Sequence, residues 1–286
     1  MHMTPKSKLA ATLALLFLIS CSDDGGSGPS NENSAGGSSS GVSRDGNSEN
    51  GSSSSADDED GSSSSAVSFV LSTMTDERDG AVYKTTTIGS QTWMAENLRY
   101  EYKIDGSTYG NWCYENDSAN CVKYGRYYTW AAAMDSATTG CGYGVNCSDL
   151  PAKVQGVCPS GWHLPSRQEW SVLNDVVDEH GITGSVSGKK LKSTEGWKAW
   201  NEGDDNNGVD AYGFSAQPYG GFFGIKEPDK YLFNYMGDDA YFWSSTEYGD
   251  AENIRAEQVN MTYDKEWVIF FFHFKDRGLS VRCVKN

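Results

Sequence analysis

The rhythm of hydrophobic and polar positions changes several times along the chain. From Val82 to Ile88 the pattern alternates, which is the period of a half-buried strand. Gly89-Ser90 follows, and a glycine-first pair suits a two-residue hairpin turn, so "VYKTTTIGSQTWMAENL" predicts two short strands. "YYTWAAAM" around Trp130 predicts a short helix. After Pro165, Ser166 and Glu169 have the S-x-x-E spacing of a capping box, in which each side chain satisfies the other's backbone N–H. Trp170, Leu173, Val176 and Val177 then fall on one helical face, and Gly181 supplies a stop. Near the end, "NIRAEQVNMTYDKEWVIFFFHF" predicts two strands around a turn at Asp264-Lys265. Trp267 to Phe274 is almost continuously apolar, which predicts a strand covered on both faces. "LSVRCV" predicts a last strand. Helices in the middle and strands at both ends make an α+β domain.

The first 66 residues follow none of these rhythms. Lys6 and Lys8 precede the apolar run "LAATLALLFLIS", Leu9 to Ser20, a signal-peptide core too short to span a bilayer. It stops at "LISC", the bacterial lipobox pattern, so residues 1–20 read as a lipoprotein signal peptide and Cys21 as the lipidated residue. Acyl chains contribute about 0.8 kcal/mol per buried CH₂, and more than one chain gives stable anchoring. The expected partner of this end is a membrane, and the expected location is the bacterial cell envelope, as an outer-membrane lipoprotein that faces outward. Residues 21–66 are Ser, Gly, Asn and acidic residues with almost nothing apolar. Such a segment cannot bury enough surface to offset its ordering entropy and predicts a disordered tether. Its mean reach is roughly 35–40 Å on the scaling for flexible linkers.

Charge narrows the partners. The chain carries −16, with nine acidic residues against Arg44 alone in the tether and near −10 left for residues 67–286. An acidic surface repels phosphate polymers, so nucleic acid is not an expected partner.

Residues 67–286 fit one large domain. Beyond Cys21 it has six cysteines: Cys113, Cys121, Cys141, Cys147, Cys158 and Cys283. An even number outside the cytoplasm predicts disulfides, and six cysteines allow fifteen pairings. Proximity favours Cys113 with Cys121 and Cys141 with Cys147, which leaves Cys158 with Cys283 across a long loop. No spacing matches the C-x₂₋₄-C of a zinc site.

"CPSGWHLPSRQEW", Cys158 to Trp170, holds a cysteine, a histidine and a glutamate, the side chains of a nucleophile, a base and its orienting acid. Sequence closeness does not place them in catalytic register, since such pairs usually come from distant segments. A disulfide at Cys158 removes the nucleophile, and the capping box occupies Glu169. The stretch therefore reads as scaffold. No H-E-x-x-H, G-x-S-x-G, Walker or dinucleotide pattern occurs, and no carboxylate pair stands out for glycoside hydrolysis. The expected activity is none.

"NEGDDNNGVDAYGF" gathers hard oxygen ligands, and calcium is the candidate cofactor, with Asp204, Asp205, Asn207 and Asp210 as ligands. The spacing is not that of an EF-hand loop, and Asp, Asn and Gly also form plain turns. Aromatic residues crowd the same half of the chain. Phe214, Trp243 and Trp267 read as core. Trp200, Tyr212 and Tyr219 lie beside acidic and glycine-rich loops and read as exposed ligand-binding rings, since sugar C–H faces stack on Trp and Tyr.

"RDGAVYKTTTIGSQTWMAENL", "GRYYTWAAAM", "CPSGWHLPSRQEW", "LKSTEGW", "GVDAYGFSAQPYGG", "YFWSSTE" and "LSVRCVKN" occur in this order. Together they resemble the Fibrobacter succinogenes major paralogous domain, a family of bacterial surface lipoproteins, over Asp79 to Asn286. The "HLPS..EW" and "WSSTE…VRCV" blocks are also similar to domains at the C-termini of bacterial collagen-like surface proteins. The resemblance implies a C-type-lectin-like fold: a mixed or antiparallel sheet, one to three helices, a last strand returning beside the first, and Cys158 close to Cys283. It implies no catalytic residue. The expected function is a lipid-anchored envelope module that binds a glycan or a surface protein without catalysis. The alternatives are a structural envelope protein without a ligand and, behind it, an enzyme acting on polysaccharide.

Overall fold

The computed structural model describes residues 69–147, 149–178, 185–227 and 230–286. The predicted signal peptide, Cys21, the tether and the Gly181 stop lie outside the described residues. In chain order the strands are β1 (Phe69–Asp76), β2 (Ala81–Ile88), β3 (Gln91–Met94), β4 (Lys103–Ile104), β5 (Ser107–Thr108), β6 (Asn111–Trp112), β7 (Tyr127–Tyr128), β8 (Trp162–His163), β9 (Tyr219–Glu227), β10 (Lys230–Met236), β11 (Asp239–Glu247), β12 (Arg255–Thr262), β13 (Ile269–Phe274) and β14 (Val284–Lys285). The helices are α1 (Ser118–Tyr124), α2 (Trp130–Ala133), α3 (Ser136–Thr139), α4 (Arg167–Val177) and α5 (Ser187–Leu191). The class is α+β. The described residues hold five short helices, where the resemblance implied one to three.

Two five-stranded sheets organise the domain. The first has the order β1-β2-β3-β14-β8, and the second β10-β9-β11-β12-β13. Gly89, at φ +58°, and Ser90 join β2 to β3, with Ile88 facing Gln91. A left-handed backbone at the first turn position is why glycine stands there. The last strand lies between β3 and β8, with Val284 paired to both Trp93 and His163. Cys283, one residue earlier, is bonded to Cys158, which fastens the chain end to the segment entering β8. Cys113–Cys121 and Cys141–Cys147 are the other two disulfides.

Helix α4 forms as its sequence predicts. Ser166 accepts from the Glu169 N–H, Glu169 accepts from the Ser166 N–H, and Trp170, Leu173 and Val177 are buried. Trp170 meets Trp93 at 4.6 Å and Phe242 at 5.5 Å between ring centres. Burial of one such side chain stabilises by about 1.5–3 kcal/mol. Phe242 and Trp243 are adjacent on β11 and point to opposite faces, each fully buried. Phe242 joins the core beneath α4, and Trp243 joins a second core around Tyr128 and Trp130. Its indole donates to the Tyr128 carbonyl at 2.7 Å, and the Trp130 indole donates to the Ser244 carbonyl at 2.9 Å. Strand β11 thus divides the two cores.

Two expectations about burial are overturned. Strand β13 is the edge of its sheet, not a strand covered on both faces, and Phe271 is 58% exposed. Trp267, expected in the core, is 47% exposed, because it precedes the strand and has the Lys265 ammonium 5.5 Å above its ring. An apolar run looks the same in one-letter code whether its second face is covered by protein or left open.

Candidate functional site

The residues picked out by the sequence do not form one site. Trp200 is exposed and stacks on Tyr263 at 5.7 Å. Tyr212 is buried instead of exposed. The Thr86 hydroxyl on β2 donates to its carbonyl at 2.6 Å, and its ring packs in the core with Phe214 and Trp197. Tyr219 is half-buried, with its ring 4.4 Å from Tyr124 and its carbonyl accepting from Tyr127. Burial pushes its hydroxyl up to about 12.

The expected calcium ligands make contacts within local turns. Asp204 accepts from the backbone and side-chain N–H of Asn201 at 2.8 and 2.9 Å. Asp205 accepts from the backbone and side chain of Asn207 at 3.1 and 2.8 Å. Asn207 in turn accepts from the Trp197 N–H at 3.1 Å, and Asp210 accepts from the N–H and hydroxyl of Ser215. Among the described residues no three His, Cys, Asp or Glu side chains gather as metal ligands. The positive charge in this region is a protein group: the Lys192 ammonium, buried, donates to the carbonyls of Asn206, Thr262 and Lys265 at 3.1, 3.1 and 3.2 Å. Burial lowers its pKa to about 8.

His163 and Glu169 meet in space, as scaffold, and Cys158 is bonded to Cys283. Cys158 has no free thiol. His163 is buried, with Nδ1 at 2.7 Å from Asn286 Oδ1 and Nε2 at 2.6 Å from Glu169 Oε1. The second oxygen of Glu169 accepts from the Ser166 N–H and hydroxyl, both at 2.9 Å. Burial alone would raise the Glu169 carboxyl, but the His163 and Ser166 hydrogen bonds outweigh it, and its pKa is lowered. The cluster ties β8, α4 and the last residue together.

A different place has the properties of a site. The second sheet carries a groove of about 380 Å³ that runs along β13 and is lined by residues of β11, β12 and β13. Tyr241, Asn260 and Ile269 lie opposite one another across these three strands, and Trp243, Gln258 and Phe271 form the next row. Each buried amide therefore sits between apolar side chains. Gln258 is 2% exposed and Asn260 8% exposed, yet Gln258 Oε1 and Asn260 Oδ1 have no hydrogen-bond partner. An unmade buried hydrogen bond costs about 1–3 kcal/mol, so two side by side in a small domain need a reason.

The walls are aromatic. The Phe223 ring lies 5.9 Å from Tyr241 and 5.4 Å from His273, and Tyr235 lies 6.1 Å from Tyr241. His273 Nδ1 accepts from the Phe274 N–H at 2.9 Å. Burial, then the nearby Arg277, lowers the His273 pKa, and the neutral ring carries its proton on Nε2. Beside the groove, the Tyr241 hydroxyl donates to Asp239 at 2.7 Å. Burial pushes the Asp239 carboxyl up to about 6 against that hydrogen bond, and Asp238 and Asp264 add to the rise.

Gln258 and Asn260 were not singled out from the sequence. The available signal is the alternation on β12, where one face is Val259 and Met261 and the other Gln258 and Asn260, opposite Phe271 and Ile269 on β13. Buried amides facing phenylalanine and isoleucine lack local partners.

No curated protein and no solved structure matches this chain. Residues 86–285 match the Fibrobacter succinogenes major domain, which takes in β3 to β14 and every residue of the groove. The match covers most of the chain and agrees with the seven ordered sequence blocks, so the chain belongs to the Fibrobacter succinogenes major domain family.

Proposed function

We propose that this protein is a lipid-anchored module of the bacterial cell envelope, C-type-lectin-like in build, that holds a glycan or protein ligand in the β11–β13 groove without catalysing a reaction. One observation carries the reading: two neutral amides, buried and unpartnered, sit in an open groove walled by aromatic rings. Ligand pockets join apolar walls to a few placed polar groups, and a ligand that donates to these oxygens removes their cost. The anchor rests on Lys6, Lys8, the apolar run and Cys21; outward placement on the outer membrane rests on the acidic tether that follows. The absence of catalysis rests on the disulfide at Cys158 and on the saturated contacts of His163 and Glu169.

Binding of the full chain to a glycan array and to envelope extracts tests the reading. Phe271→Ala removes an exposed groove ring and weakens any ligand found, whereas Trp200→Ala, outside the groove, leaves it unchanged. A ligand lost with Trp200 and kept without Phe271 returns the site to the acidic loop. No ligand in either screen favours a structural envelope protein. Protease treatment of intact cells tests the outward location, and a protected domain contradicts it.

A further inference from the structure

We infer that the groove selects an uncharged, hydroxyl-rich ligand, namely a neutral oligosaccharide, over charged sugars and over peptide. This rests on the binding reading above and specifies its ligand. The two unpartnered atoms are oxygens, Gln258 Oε1 and Asn260 Oδ1, covered in the ligand-free protein, so a ligand that turns either amide into the groove and pairs with its oxygen must be the donor. A carboxylate or sulfate group cannot itself donate to them, so each one that a sugar carries in place of a hydroxyl removes a donor. Such a group also approaches a domain of net charge near −10. A cation can donate, but no Asp or Glu lines the groove, and the charged lining residue is Arg255, which repels it. Hydroxyl groups donate without charge.

Geometry separates sugar from peptide. An extended peptide would be drawn to the open edge of β13 and would lie about 4.8 Å beyond it in the plane of the sheet. Gln258 and Asn260 are on β12, one strand further in, so such a peptide leaves both oxygens unpaired. A ligand that reaches them must lie across the face of the sheet. There it finds each amide beside an apolar neighbour: Tyr241 and Ile269 flank Asn260, and Phe271 flanks Gln258. The amides are two residues apart on one strand, roughly 6.8 Å, on the scale of one sugar ring. A pyranose offers C–H faces and hydroxyl donors at alternating edges, and the rows of the groove alternate in the same way.

The test uses the full chain and three oligomers that share the six-membered ring but differ in charge: hexamers of glucose, galacturonate and glucosamine, with an array of neutral oligosaccharides covering other sugars and linkages. Titration calorimetry is the readout. A neutral oligosaccharide is expected to bind at least about tenfold more tightly than either charged hexamer, the equivalent of one lost buried hydrogen bond. Asn260→Ala and Gln258→Ala are each expected to weaken it by about tenfold or more. Phe271→Ala, a surface change that does not threaten folding, is expected to weaken it as well. A charged hexamer that binds as tightly overturns the inference, as does a neutral ligand indifferent to all three variants. A peptide that binds while every neutral sugar fails overturns it and leaves the binding-module reading standing. If sugars, peptides and envelope extracts all fail, both readings fall.

Discussion

The stretch from Cys158 to Trp170 and the β12 groove differ in how their polar groups are satisfied. The first holds a cysteine, a histidine, a glutamate and a serine, and its reactive groups are occupied: the thiol by Cys283, the imidazole by Glu169 and Asn286, the carboxylate by His163 and Ser166. The second holds two unreactive amides, and each is left with an oxygen unused. Residue type alone would choose the first. Accounting for hydrogen bonds chooses the second, because a satisfied polar group has no capacity left for a ligand, and an unsatisfied one has a standing free-energy reason to find one.

The contrast can be broken in several places, and the largest effect belongs to the scaffold. Replacing Cys158 and Cys283 together with alanine opens a loop with a sequence separation of 125 residues. The chain-entropy account puts the loss at about 4–5 kcal/mol. Chemical denaturation should report that loss, with ligand affinity intact wherever the domain remains folded. A free thiol at Cys158 in the native protein would contradict the scaffold assignment outright.

His163→Ala comes next. It removes a buried ring and its hydrogen bonds to Glu169 Oε1 and Asn286 Oδ1, and should cost about 1–3 kcal/mol. The same denaturation experiment checks it. A cost near zero would mean that the hydrogen-bond chain joining β8, α4 and the C-terminus does not hold them.

Smaller effects appear in pH dependence, and here the two regions differ in sign. The Glu169 carboxyl is held below its ordinary value of 4.5, so its stabilising contribution is present above that pH and is lost as pH falls through the lowered folded value. The Asp239 carboxyl is raised from 3.8 to about 6, so its charge opposes folding. That cost is absent below 3.8, grows between 3.8 and about 6, and is fully present above. Asp239→Asn keeps an acceptor for Tyr241 and removes the charge. It should raise stability at pH 7 by about 1–3 kcal/mol and leave it unchanged near pH 3.5. Thermal unfolding at the two pH values decides, and equal shifts at both would show that charge is not the cause.

How much of this was legible in the sequence follows from the range of the interactions. Ser166, Glu169 and Trp170 act within two helical turns, so α4 could be read directly. The Gly89-Ser90 hairpin is equally local. The cysteines paired as proximity favoured, since short loops close at little entropic cost. Trp267 to Phe274 could not be read, because an apolar run does not say whether its strand is central or at an edge. Tyr212 could not be read either: it packs in a core with Ile88, Trp93 and Phe242, which are far away in sequence. Asp204, Asp205, Asn207 and Asp210 resembled a ligand set because turn formers and calcium ligands are the same residue types. In the structure they make local contacts with Asn201, Trp197 and Ser215, beside the Lys192 ammonium that occupies nearby carbonyls. The groove was hidden for the same reason. Whether Gln258 and Asn260 are satisfied depends on what three strands bring to one face.

The most direct measurement of the central claim is the thermal midpoint of the ligand-free Gln258→Leu/Asn260→Leu protein beside its ligand affinity. If the amides are kept for a ligand, leucine removes two buried unsatisfied oxygens, so the midpoint stays level or rises while binding is lost. If the amides serve the scaffold as His163 and Glu169 do, the midpoint falls by several degrees, and the claim that these two residues mark the binding site is wrong.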